Sequence, residues 1–184
     1  AHAGRWTAAT GWVDLGLLPG GSSAAFPAAN AMAVSTTGAI LGGFSTTTAP
    51  SEEAFLWTQS SGMVRLDNLP INNSSRVIVR GISADGSIVV GEGGHAFIWT
   101  ASAGTQDLRL FLIANGATGL EGWNLFNIGG ITPDGRFITG SGTSPSGNLE
   151  AWIAEIAPVP IPPAVWLFVS ALGVMGVMRR ESSG

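Results

Sequence analysis

Few residue types in this 184-residue chain can do chemistry, and they do not cluster. Cys, Lys and Tyr are absent. Their absence removes thiol nucleophiles, disulfides, Cys-ligated metal sites, Schiff-base chemistry and a phosphate-binding P-loop lysine. The two histidines, His2 and His95, fall at equivalent strand starts of an internal repeat, a position that reads as structural. Ser and Thr are plentiful, yet no Gly-x-Ser-x-Gly nucleophile elbow occurs. The carboxylates are dispersed. Asp85 and Asp134 are accounted for by turns, and no Asp-rich loop offers calcium the oxygen ligands it needs. The residues therefore predict no catalytic site, no metal and no cofactor. With Lys+Arg at 8 against Asp+Glu at 12, a basic stripe for nucleic acid is also missing.

Aromatic chemistry is the remaining resource, with seven tryptophans whose faces could stack on sugars. Trp6, Trp57 and Trp99 recur at one repeat position, alongside Phe55 and Phe97, and are expected in the core. Trp152 belongs to a divergent fourth copy, and Trp166 to the C-terminal tail. Trp123 lies in a Gly-rich insertion, Asn115 to Asn127, and is the expected ligand-contact residue, with extracellular polysaccharide as the natural partner. Asn72-Asn73-Ser74-Ser75 contains overlapping sequons and reads as a polar loop.

The elements that must position these residues are repeats. One half-unit reads Ala54-Phe55-Leu56-Trp57-Thr58 and Ala96-Phe97-Ile98-Trp99-Thr100, more weakly Ala3-Gly4-Arg5-Trp6-Thr7, and divergently Ala151-Trp152-Ile153-Ala154. Gly11, Gly62 and Gly104 follow at a fixed offset, as do Leu15, Leu66 and Leu108. The other half-unit pairs Gly81-Ile82-Ser83-Ala84-Asp85-Gly86 with Gly130-Ile131-Thr132-Pro133-Asp134-Gly135, and loosely with Ala33 to Gly38. Another Gly sits beyond each turn, at Gly43, Gly91 and Gly140. The period is 48 and then 49 residues, from Gly38 to Gly86 to Gly135.

Each unit divides into four short strands, expected in the middle copy at about Val77–Ser83, Ser87–Gly91, His95–Thr100 and Thr105–Leu110. Asp85-Gly86 and Asp134-Gly135 are hairpin-turn signals. His95–Thr100 places Phe97 and Trp99 on one face and Ala96 and Ile98 on the other, so the sheet should be covered on both sides. The expected class is all-β, with four-stranded units packed between neighbours as in a β-propeller. A two-sheet sandwich is the rival, and a parallel solenoid fits the period less well. Two complete units with partial ones at either end predict an open arc with exposed edges.

His95-Ala96-Phe97, with Gly11 to Gly16 and Ser83-Ala84-Asp85-Gly86, resembles the HAF family of extracellular repeats over about residues 1–156. The resemblance implies an exported protein and brings no biochemical activity with it.

Composition changes at Ala157. Pro158, Pro160, Pro162 and Pro163 form a stiff spacer over 157–163. Ala164 to Met178 then gives fifteen uncharged residues, ended by Arg179-Arg180. As a helix this run reaches ~22 Å, short of a ~30 Å hydrocarbon core. The arginines favour a cytoplasmic end and put the repeats on the outer side. Val159-Pro160-Ile161-Pro162, then Val165 to Phe168, then Arg179-Arg180, resembles the PEP-CTERM sorting signal read by exosortases, although Ile161 stands where that family carries Glu. The resemblance implies a Gram-negative source, transient retention in the inner membrane, an exosortase-like partner and removal of the tail. A permanent single-pass anchor is the rival reading of 164–184. The whole chain thus reads as a non-enzymatic surface or matrix protein contacting polymer or other copies. Its rivals are a glycan-binding propeller and, with less support, a propeller hydrolase.

Overall fold

The computed structural model describes residues 1–21, 27–47, 52–66 and 76–156. The tail residues Val159, Pro160, Ile161, Pro162, Arg179 and Arg180, the expected helix and the Asn72–Ser75 loop lie outside them. No helix among the described residues is long and apolar enough to cross a membrane.

Thirteen strands and one short helix follow in order: β1 Ala3–Thr7, β2 Gly11–Gly16, β3 Ala29–Val34, β4 Ile40–Thr46, β5 Glu52–Thr58, β6 Gly62–Arg65, β7 Ile78–Ile82, β8 Ile88–Glu92, β9 Ala96–Thr100, β10 Gly104–Asp107, α1 Leu108–Ala114, β11 Asn124–Ile131, β12 Phe137–Thr143 and β13 Leu149–Glu155. All strand pairs within the sheets are antiparallel neighbours in sequence. They form a two-stranded sheet (β1-β2), two four-stranded meanders (β3 to β6 and β7 to β10) and a three-stranded sheet (β11 to β13).

Short hairpin connections explain the meanders, because consecutive strands can pair at once only antiparallel. The sheets then pack face to face in chain order, since both faces of the middle strands are apolar. Phe55 and Trp57 of the second sheet are buried with Ala3 of the first. Phe97 of the third is buried with Ala54 of the second, with Trp99 and Leu56 packed beside them. Ala96 and Ile98, on the opposite face, are buried with Leu125, Ile128 and Ile138 of the fourth. The two-faced pattern expected of His95–Thr100 is the one observed.

The glycine spacing has a packing cause. The first strand of each unit carries a bulge at Met32, Arg80 and Gly129, where the register slips. The partner strand meets each bulge with Gly43, Gly91 or Gly140. A Cβ there would lie 1.8 Å from Asn30 O, 2.1 Å from Ile78 O and 2.1 Å from Asn127 O, respectively. The same absence of a side chain seats an aromatic from the third strand: Phe97 on Gly91 and Trp152 on Gly140.

Two expectations are corrected. The strand expected to run to Leu110 stops at Asp107, whose carboxylate accepts from Leu110 N at 2.9 Å and caps α1. Leu108 and Leu112, one helical turn apart, are buried against the third and fourth sheets. Trp6, expected in the core, is 66% exposed. Its sheet has no neighbour on that face among the described residues. Gly4 stands where Phe55 and Phe97 stand in the other units, and Trp12 of β2 covers it instead.

Candidate functional site

A groove of about 300 Å3 lies beside the fourth sheet. One wall is the inward face of β13, with Trp152 and Ala154. The other is built by Leu112 of α1 and the following loop, with Leu120 and Trp123. The helix positions this loop. Asn115 caps its C-terminus, the Asn115 amide side chain donates to Phe111 O at 2.8 Å, and Gly116 (φ 92°) turns the chain away. Trp123 N then donates to Leu120 O at 3.2 Å, holding both groove residues in one turn. The expected contact residue Trp123 is half-buried against the core and lines the groove.

Trp152 was not expected there. Its ring lies on Gly140, and its buried Nε1–H has no acceptor among the described residues. The signal was available in part, because Gly140 repeats Gly91 and an aromatic was due opposite it. Thr118 and Glu155 add the polar margin. Glu155 is held by Arg136, whose Nη2 and Nε donate at 2.6 and 2.8 Å. An apolar, aromatic groove with a thin polar rim can take a flat, weakly polar ligand face.

The other singled-out residues are structural. Ile88 N donates to the Ser83 hydroxyl oxygen at 3.0 Å, while Ser83 donates to Asp85 at 2.7 Å. The next unit repeats this with Phe137 N, Thr132 and Asp134, and the preceding unit with Ile40 N, Ser35 and Thr37. Gly86 and Gly135 take φ of 75° and 73°, which a side chain would resist. Both turns also join sheets: Gly86 abuts Ile40, Gly135 abuts Ile88, and Ala84 N donates to Pro133 O at 2.7 Å.

These turns set the carboxyl titrations. Burial pushes Asp85 up, but the Ser87 backbone N–H and the Ser83 and Ser87 hydroxyls outweigh it and hold the group below its usual range. The Thr132 hydroxyl and the Arg136 backbone N–H lower Asp134 in the same way. At the chain start, the Gly16 N–H and His2 lower Asp14. His2 Nδ1 lies 2.8 Å from Asp14, whereas His95 stands in the β8–β9 turn, its carbonyl accepting from Gly93 N. Arg65 pairs with Glu53 and Arg80 with Glu92 across strands, and Arg76, just before β7, pairs with Glu52. Among the described residues no group of three or more His, Asp or Glu could hold a metal ion.

No protein-family model matches the chain, and no curated protein matches it either. Among solved structures, a chain described as a TolB from Agrobacterium tumefaciens is similar at a TM-score of 0.45 and 18% identity. The match covers 66% of this chain and 40% of that one.

Proposed function

We propose that this chain is an exported, non-enzymatic contact protein of the cell surface or extracellular matrix, and that its repeat domain binds polysaccharide in the groove between Trp123 and Trp152. The observation that carries the binding is the convergence of two tryptophans from separate elements on one open, apolar groove. Half-buried indoles, anchored on one side by the core and open on the other, give a sugar ring a large, rigid surface at small entropic cost. Four-stranded meanders stacked in chain order support the finer architecture, blades of an open propeller-like arc. Delivery rests on the sequence: the proline spacer, apolar run and Arg179-Arg180 act as a PEP-CTERM-like signal for an exosortase-like enzyme, with the inner membrane holding the tail in transit.

Protein recovered from the outside of its producing cells tests both halves. Its intact mass should lack about the last 25 residues, the span of a short membrane signal with its spacer. Retention through Gly184 would overturn the sorting signal in favour of a permanent anchor. On a glycan array the same protein should bind a defined polysaccharide class, and Trp123→Ala should weaken that binding roughly tenfold or more. Trp123→Phe, which keeps an aromatic face, should retain most of it. No binding, or equal binding by Trp123→Ala, would overturn the groove assignment.

A further inference from the structure

The groove between Trp123 and Trp152 carries a charge of one sign. Among the described residues that line it, Glu155 is the one charged side chain. Thr118 adds a hydroxyl, and every other lining side chain is apolar or absent. No cation faces the groove from any of the elements that build it.

Glu155 is half committed. The Arg136 Nε and Nη2 groups both donate to its Oε1, at 2.8 and 2.6 Å. The same guanidinium lies 5.2 Å from the Phe137 ring centre, which holds it away from the groove lining. Glu155 Oε2 has no hydrogen-bond partner among the described residues. A carboxylate oxygen can only accept, so a ligand group placed against it must donate. A sugar hydroxyl does so, and an O–H donated to a carboxylate is a strong, charge-assisted bond. An acid sugar offers the reverse. Its own carboxylate meets Oε2 with no proton between them, and it leaves water for an apolar wall that holds no cation. An amino sugar's ammonium finds no unbalanced charge there, because Arg136 already balances Glu155.

We infer, on the reading that this groove is the polysaccharide site, that it selects uncharged, hydroxyl-rich polysaccharide and rejects polyuronates. Glu155 is the residue that determines this selection. The two indoles take the apolar face of the ring, and Glu155 Oε2 takes hydroxyls at its edge. Trp123 therefore sets how tightly the groove binds, and Glu155 sets which sugar it binds.

The test places the full chain on an array of matched sets: a neutral glycan, its uronate with the primary alcohol oxidised to a carboxylate, and the methyl ester of that uronate. A glucan oligosaccharide with its glucuronate counterparts is one such set. The neutral member should bind roughly tenfold more tightly than the uronate, and the ester, which keeps the bulk and loses the charge, should bind within about threefold of the neutral member. Glu155→Gln keeps an acceptor and adds a donor that a uronate can use, so its neutral-to-uronate ratio should fall to about threefold or less. The Arg136–Glu155 pair is exposed, so this variant should fold, and far-UV dichroism checks it. The ratio is taken within one protein, so a change in the folded fraction does not move it. A uronate bound as tightly as its neutral partner, an ester as weak as the acid, or an unchanged ratio in Glu155→Gln would each overturn the inference. So would a glucosamine polymer preferred over its N-acetylated form. Where Trp123→Ala still weakens binding in those cases, the groove reading stands; binding that Trp123→Ala leaves unchanged, or no binding at all, would overturn both.

Discussion

Replacing Gly91 with Ala tests why glycine recurs opposite each bulge. Gly91 pairs with Val79 on one side and Phe97 on the other. The added Cβ would lie 2.1 Å from Ile78 O and 2.4 Å from Phe97 Cζ. An ordinary carbon–oxygen approach is about 3.3 Å, so the strand must move by more than ~1 Å or lose its partner. Neither neighbour can yield cheaply. Ile78 is bound in the β7–β8 ladder, and Phe97 is fully buried between two sheets. Overpacking a core costs about 1–3 kcal/mol, and a backbone obstacle puts this case at the upper end, ~3 kcal/mol. For a chain of this size each kcal/mol lowers Tm by roughly 2–4 °C, giving a fall of about 6–12 °C. Gly130→Ala is the control, since nothing lies within 4 Å of a Cβ there. It should change stability by no more than ~0.5 kcal/mol. Urea and thermal melts followed by tryptophan emission read both. Adding Phe97→Leu to Gly91→Ala should recover only part of the loss, because the Ile78 carbonyl remains. A Gly91→Ala protein melting with wild type would refute the packing argument, and full rescue by Phe97→Leu would refute its backbone half.

Two further outcomes follow from polar contacts. Glu92 binds Arg80 at 2.6 Å and also accepts from Ile128 N of the next sheet at 3.2 Å. Glu92→Ala strands that amide at a cost of about 1–3 kcal/mol and should accelerate hydrogen exchange at Ile128, whereas Glu92→Gln, which keeps an acceptor, should accelerate it less; equal exchange in Glu92→Ala and wild type would show the bond to be inert. Asp85 and Asp134 titrate lower in the folded chain than in the unfolded one, so their stabilisation is complete above the unfolded value of 3.8 and is lost as pH falls through the lower folded values. The double variant Asp85→Asn/Asp134→Asn should therefore lose less of its urea midpoint than wild type on acidification below about pH 4, and parallel curves would refute the assignment.

Much of the fold was legible because the repeat writes its constraints in residue types. An Asp-Gly turn needs a particular backbone. A strand apolar on both faces needs two neighbours, and Ala96-Phe97-Ile98-Trp99 has them. Trp6 departs from the expectation because its type records the repeat position while its exposure records the neighbour, and among the described residues nothing covers it. Helix α1 was legible after the fact, in Asp107 as cap, Leu108 and Leu112 as its buried face and Asn115-Gly116 as its stop. Leu108, at the repeat's Leu position, makes the segment read as a strand although it opens the helix.

The groove shows why a site is harder to read than a fold. Trp123 breaks the repeat and Trp152 obeys it, yet both line one groove. Obedience to a repeat specifies where a residue sits relative to its own sheet, and an insertion specifies where the pattern is relaxed. The proposed site lies where the two meet. The bulges make the same point in the backbone. Met32, Arg80 and Gly129 share one position and no chemistry, because a bulge constrains the chain path and leaves the side chain free. The constraint surfaces on the opposite strand, as the glycine that lets the displaced carbonyl approach. In a repeat of this kind, the residue to examine is often the partner of the one that varies.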